Sequence, residues 1–161
     1  MRKLNIPYML RAFAAVAALA LVATACEEDP VGPDNEPDTT QIVLTIGTGA
    51  TAQVVTWTTA SGSVAPTNVN IPAGPPRVFT ATFLRADGSV DPVINDLEFR
   101  LDFTATGGAG VTVGKTNNLA GTFTASGTAG QSVTFTVGLG HILEGHYDYL
   151  TTAGALRISV Q

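Results

Sequence analysis

The chain has 161 residues, thirteen acidic and eight basic, and its formal net charge at pH 7 is −5. An acidic protein is repelled by nucleic-acid phosphates and by anionic lipid headgroups. This argues against nucleic acid as a partner and against membrane attachment through charge. Only one cysteine is present, so no disulfide can form within the chain.

The N-terminal segment, residues 1–25, has the three-part organisation of a secretory signal peptide. Arg2, Lys3 and Arg11 give it a basic start, and residues 12–23 form a continuous apolar run. As a helix this run would cover only ~18 Å, whereas a permanent transmembrane helix must cross about 30 Å of hydrocarbon. The sequence therefore predicts a helical signal peptide that is removed on export. Its removal leaves five basic and thirteen acidic residues in the mature chain.

The end of this segment, Ala23-Thr24-Ala25-Cys26, resembles the lipobox of bacterial lipoproteins, although Ala23 stands where Leu is usual. The resemblance implies cleavage before Cys26, a diacylglycerol group on its sulfur and acylation of the new N-terminus. Two or three acyl chains anchor a protein stably, whereas one gives marginal binding. The implied location is the cell envelope, with the protein exported and lipid-anchored to the outer membrane or cell surface. The alternative is ordinary secretion with Cys26 as a free thiol.

Residues 26–40 are predicted to form a disordered tether. They include six acidic residues, the prolines Pro30, Pro33 and Pro37, and a single branched apolar residue, Val31. This composition cannot bury enough apolar surface to offset the entropy lost on ordering. Charge repulsion and proline keep such a segment extended, so it would reach ~40 Å at ~3.1 Å per residue.

In residues 41–161 apolar and polar side chains alternate, and no helical period is evident. The alternation is clearest in residues 97–103, where Leu97, Phe99 and Leu101 share one face with Phe103. Such a pattern predicts a strand with one dry and one wet face. Strands are predicted at 41–46, 52–58, 77–85, 97–103, 111–113, 119–125, 131–139 and 156–160, with an edge strand or loop at 61–71.

Seven to nine short strands at roughly ten-residue spacing favour one antiparallel β-sandwich over residues 41–161. Without a disulfide the layers must be held by packing alone, and burial of one aromatic ring contributes ~1.5–3 kcal/mol. We expect the core to contain Trp57, Phe79, Phe83, Phe99, Phe103, Phe123 and Phe135.

Residues 119–124 and 127–137 resemble the end of a bacterial Ig-like domain of the invasin/intimin type. A short strand, a glycine-containing turn and a strand of alternating Thr and Val occur in that family as they do here. The resemblance implies an Ig-like sandwich used for display or adhesion. Another envelope protein or a glycan is the partner that this implies.

Both histidines lie within residues 140–149, the window richest in functional groups. His141 and His146 fall on opposite faces of one strand and ~140° apart on a helix. A hairpin turning at residues 144–145 would instead pair His141 with Asp148, although glutamate is a poor residue for the positive φ of a tight turn, and a bulged or longer turn would change this register. All three side chains would then share a face on which cross-strand Cβ atoms lie ~4.5–5.5 Å apart. Two imidazoles and a carboxylate suit zinc, copper or iron, so these residues are candidate ligands for a divalent transition metal.

The same window has two other interpretations. Tyr147 and Tyr149 offer rings for stacking against a sugar, and the plainest alternative is a loop whose tyrosines cover one end of the sandwich. The chain has neither a Gly-x-Ser-x-Gly motif nor a phosphate-binding loop. We therefore expect a non-enzymatic, lipid-anchored display module without a cofactor, structural or adhesive in role. The alternative function is a periplasmic or surface metal-binding protein that uses the window from His141 to Asp148.

Overall fold

Alternating apolar side chains determine the architecture of residues 36–161, the part of the chain that the computed structural model describes. Eleven β-strands and one 3₁₀ turn form there, and these residues contain no α-helix. No helix among them is long and apolar enough to cross a membrane. The prediction of an all-β domain is confirmed for the described residues. The predicted signal-peptide helix, Cys26 and the tether up to residue 35 lie outside the described residues.

The strands in chain order are β1 (Gln41–Ile46), β2 (Gln53–Thr58), β3 (Ser63–Ala65), β4 (Asn68–Ile71), β5 (Arg77–Leu84), β6 (Phe99–Gly108), β7 (Val111–Lys115), β8 (Ala120–Ala125), β9 (Ser132–His141), β10 (His146–Leu150) and β11 (Leu156–Val160). The 3₁₀ turn, Gly49–Thr51, connects β1 to β2.

The strands form two sheets. The first sheet has six antiparallel strands in the order β3-β2-β1-β5-β8-β7. The second sheet has the order β10-β9-β11-β4, and β6 pairs with the other side of β9. One pair departs from the predicted antiparallel arrangement, because β4 runs parallel to β11 with Val69 opposite Ile158.

The strand count exceeds the predicted seven to nine because polar segments also form strands. Residues 61–71, predicted as an edge strand or loop, supply β3 to the edge of the first sheet and β4 to the edge of the second. Residues 146–150 add β10, another edge strand. At an edge a strand pairs on one side only, so a segment with few apolar residues can still join a sheet.

The predicted start of the sixth strand is wrong by two residues. Leu97 was expected to face the core, but it is 81% exposed and precedes the strand, which begins at Phe99. The Asn95 side chain accepts hydrogen bonds from the backbone N–H groups of Leu97 and Glu98. This local turn draws the backbone of these residues out of the sheet ladder.

The two sheets share one hydrophobic core. Phe79 and Phe123 of the first sheet contact Phe103 of the second sheet, with ring centroids 5.0 and 5.3 Å apart. Phe135 of β9 lies 6.1 Å from Phe103 and 6.0 Å from Phe123. Trp57 is buried, as predicted, and the expected aromatic core is confirmed, with Phe103 partly buried against it.

The chain enters the first sheet through a short arm, residues 36–40, that polar contacts fix to the domain. The buried Thr39 hydroxyl donates to Asp91 Oδ2 at 2.8 Å. Asp91 Oδ1 lies 3.3 Å from Arg85 Nη2, and its side chain is fully buried. Pro37 is also buried. Packing therefore begins several residues earlier than the domain boundary predicted from composition.

Replacing Asp91 with alanine should lower the free energy of unfolding by about 2 kcal/mol, because the buried carboxylate accepts hydrogen bonds from the Thr39 hydroxyl and the Val93 N–H. The side chain of Arg85 is 34% exposed, so water can solvate its guanidinium once the carboxylate is removed, and the expected loss comes from the two hydrogen bonds. Denaturant unfolding of the full chain measures the change. The exposed Asp96 provides a matched control, and Asp96→Ala should change stability by under about 0.5 kcal/mol. Equal losses in both variants would contradict the arm contact.

Candidate functional site

The window that contains both histidines forms a β-hairpin. β9 ends at His141 and β10 begins at His146, and these two residues are direct partners across the antiparallel pair. The turn at residues 144–145 that would have paired His141 with Asp148 is not formed. A longer loop, residues 142–145, replaces it, and Gly145 takes the positive φ of 72° that glutamate disfavours. The register that a two-residue turn would give is therefore not the register of this hairpin, which has the longer, bulged form that the glutamate at residue 144 favours.

A β-bulge sets the position of Asp148. Tyr147 pairs with Gly140 and Tyr149 pairs with Leu139, so Asp148 is an extra residue on β10. Bulges redirect the side chains of the bulged strand. Here the Asp148 carboxylate lies beside the ring of His146, with Nε2 3.0 Å from Oδ1.

The third residue facing both histidines is Glu144, not Asp148. Its Oε1 lies 3.3 Å from His141 Nδ1, and its Oε2 lies 3.4 Å from His146 Nδ1. One ligand atom from each of the three residues lies within 4.8 Å of the others. We call His141, Glu144 and His146 the hairpin triad. In the sequence, the spacing His-x-x-Glu-x-His across a glycine-containing segment could have indicated Glu144. The three side chains come together only with the longer loop and not with a two-residue turn.

The hairpin triad is packed on one side and open on the other. The ring of His141 stacks on Phe99, its partner on β6, with centroids 4.7 Å apart and planes inclined by 14°. The side chain of His141 is therefore only 12% exposed, whereas those of His146 and Glu144 are 52% and 56% exposed. The imidazole of His141 is thus held in place by packing, whereas the side chains of His146 and Glu144 are accessible to solvent.

The two tyrosines proposed for sugar stacking lie in different surroundings. The Tyr147 ring covers Gly138 and Gly140, where an added Cβ would come within 2.7 and 3.3 Å of the ring. Tyr149 packs against the core and donates its hydroxyl to the carbonyl of Pro37 in the arm. An open cleft of about 300 Å³ is bordered by Glu36, Pro37, His146, Tyr147, Asp148 and Tyr149. Sugar stacking stays a prediction.

A charged cluster lies beside the hairpin, around Asp102 of β6. The Asp102 carboxylate contacts Lys115 Nζ at 2.6 Å and Arg100 Nε at 2.8 Å, and it accepts a hydrogen bond from the Tyr147 hydroxyl at 3.1 Å. Partial burial opposes ionisation, but the hydrogen bond and charge of Lys115, with Tyr147 and Arg100, outweigh it and lower the pKa of Asp102. Burial and the bond to Asp102 raise the pKa of Tyr147.

Comparison of the chain with protein-family models, with curated proteins and with solved structures gives no match. The chemistry of the hairpin therefore has to be inferred from its own residues.

The Asp102 cluster predicts a specific pH dependence of stability. Because the pKa of Asp102 is lower in the folded than in the unfolded chain, its ionised form stabilises the fold above the unfolded value of about 3.9, and this stabilisation is lost as the pH falls through the folded pKa. The stability difference between wild type and Asp102→Asn should be largest above pH about 5 and shrink toward pH about 2.5. Denaturant unfolding across this range measures it.

Lys115→Met is the matching control, because Lys115 makes the strongest favourable contribution to the ionised carboxylate. In a Lys115→Met background the Asp102→Asn substitution should cause a smaller pH-dependent loss. A difference that stays constant from neutral to acid pH would rule out this role of Asp102.

Proposed function

We propose that this protein is an exported envelope lipoprotein that displays one Ig-like β-sandwich and has a structural or adhesive role without catalysis. The observation that carries the proposal is the order of segments in the chain. A basic start and apolar run lead to Cys26 in a lipobox-like sequence, an acidic, proline-containing spacer follows, and a packed domain begins at Pro37. This order is typical of a domain held away from a membrane by a lipidated N-terminus.

The described domain supports the sandwich part of the proposal. Two sheets share a core, and the aromatic contacts between Phe79, Phe103 and Phe123 join one sheet to the other. The apolar residues of most strands alternate with exposed ones, as expected when two sheets pack face to face. The Ig-like assignment rests on this arrangement together with the resemblance in residues 119–137.

The outer face of the first sheet supports a display role. The residues pointing outward from β1, β2, β5, β7 and β8 are mostly Thr and Val, and the central positions carry no charge. Val54 and Val78 are 53% and 46% exposed on this face. The face comprises Val43, Thr45, Val54, Thr56, Thr58, Val78, Thr80, Thr82, Thr112, Thr122 and Thr124. A surface of hydroxyl and methyl groups can hydrogen-bond a glycan or pack against another envelope protein without desolvating charges.

Lipidation at Cys26 is tested by expressing the full chain with its N-terminal segment in a bacterium and feeding a palmitate analogue. The wild-type protein should carry the label and sediment with membranes, because two or more acyl chains anchor stably. Cys26→Ser should lose the label and the membrane association. Thr24→Ser keeps a small residue before the cysteine and should still be labelled. An unlabelled wild-type protein in the soluble fraction would refute the anchor.

A further inference from the structure

We propose that the hairpin triad of His141, Glu144 and His146 binds a divalent transition metal ion, with Zn²⁺ as the ion its donors suit best, and that Asp148 is a positioning residue for His146. The proposal rests on side-chain geometry in the described domain. It does not depend on lipid anchoring or on an adhesive role, so the metal-site proposal and the proposed function can each fail while the other holds.

The spacing of the donor atoms fits a shared ion. Two ligand atoms bonded to zinc at about 2.0–2.1 Å and separated by the tetrahedral angle lie about 3.3 Å apart. The Nδ1 atoms of His141 and His146 lie 3.3 and 3.4 Å from oxygens of the Glu144 carboxylate. These separations exceed the usual 2.7–3.2 Å of a hydrogen bond between nitrogen and oxygen. Each imidazole thus lies at ligand spacing from the carboxylate, and one ligand atom from each of the three residues lies within 4.8 Å of the others.

The contact with Asp148 selects the tautomer of His146 that a metal needs. An ionised carboxylate has no hydrogen to donate, so His146 Nε2 is the donor across the 3.0 Å to Asp148 Oδ1. In a neutral imidazole the lone pair is then on Nδ1, the nitrogen that faces Glu144. Histidine ligands in metal sites commonly donate their second nitrogen to a carboxylate in this way. The bulge that redirects Asp148 therefore prepares His146 to bind a metal.

The site is preorganised by packing. His141 is held by its stacking on Phe99, and the loop is closed by hydrogen bonds from Gly145 N to His141 O at 3.0 Å and from Ile142 N to Glu98 O at 2.7 Å. Fixing ligands before binding reduces the entropy lost when the ion arrives. The exposed sides of His146 and Glu144 leave room for water as a fourth ligand.

A carboxylate oxygen without a partner at the hairpin is a second observation that a bound cation would explain. Asp148 Oδ2 is buried and has no hydrogen-bond partner among the described residues. Glu144 adds a second carboxylate within the same five-residue stretch, and its contacts are the two imidazoles. A buried carboxylate is costly unless a positive charge lies close by. A divalent ion at the triad would supply that charge through the His146 ring.

The decisive experiment is a Zn²⁺ titration of the full chain by calorimetry, with Cys26→Ser as the background in every sample so that the thiol cannot bind the metal. The protein is purified without a polyhistidine tag, because the chain has only two histidines of its own. We expect one equivalent to bind. Glu144→Gln and His146→Ala should each weaken binding by more than about 100-fold, beyond what loss of a residue outside the coordination sphere causes.

Asp96→Asn is the matched control, since Asp96 is an exposed carboxylate outside the triad, and it should leave Zn²⁺ affinity unchanged. Glu144 is exposed, so Glu144→Gln keeps the test decisive even if a histidine variant fails to fold. Absence of binding, or binding that survives both triad substitutions, would overturn the proposal and leave an ordinary network of histidine and carboxylate contacts. Replacing Zn²⁺ with Co²⁺ should give the visible absorption of a tetrahedral site in wild type and not in Glu144→Gln.

The positioning role of Asp148 has its own readout. The ¹⁵N shifts of His146 in the metal-free protein report which nitrogen carries the proton. We expect the Nε2–H tautomer in wild type and in Asp148→Asn, whose amide oxygen still accepts a hydrogen bond, and a mixture in Asp148→Ala. Asp148→Ala should also weaken Zn²⁺ binding by about 10–100-fold. Equal tautomer populations in the Asn and Ala variants would show that Asp148 does not position His146.

Discussion

The domain depends on the contact between two apolar sheet faces that nothing covalent holds together. Phe123 illustrates the constraint, because it packs on Phe79 within the first sheet and on Phe103 and Phe135 of the second. Offset and edge-to-face arrangements of this kind add to the free energy gained by burial. The apolar face of each sheet is therefore removed from water only when the other sheet packs against it. Strand pairing and sheet packing must form together.

The same constraint explains which parts of the fold could be predicted from the sequence. Strands such as β9, Ser132–His141, predicted as residues 131–139, have apolar residues at every second position, and burial imposes that period. The strands β3, β4 and β10 lie at sheet edges and have three, four and five residues, too few for an alternating pattern to stand out in the sequence. The parallel pairing of β4 with β11 depends on where the chain crosses between sheets, which no local pattern records.

Less of the candidate site than of the fold could be predicted from the sequence. The sequence indicated the window that contains both histidines, but their cross-strand pairing depends on a loop of four residues instead of two and on one extra residue at Asp148. A change of loop length by two residues shifts every cross-strand partner of a hairpin. The carboxylate that faces both imidazole rings is therefore that of Glu144, in the loop. Asp148, on the strand, contacts only the ring of His146, at Nε2.

The bond between Tyr149 and the Pro37 carbonyl has a mechanical consequence. Any pull on the N-terminal end of the domain reaches β10 through this bond before it reaches the centre of the first sheet at β1. The buried bond between Thr39 and Asp91 comes next in line. A force applied at Glu36 would therefore load Tyr149, on the strand that also carries His146 and Asp148, before it loads β1.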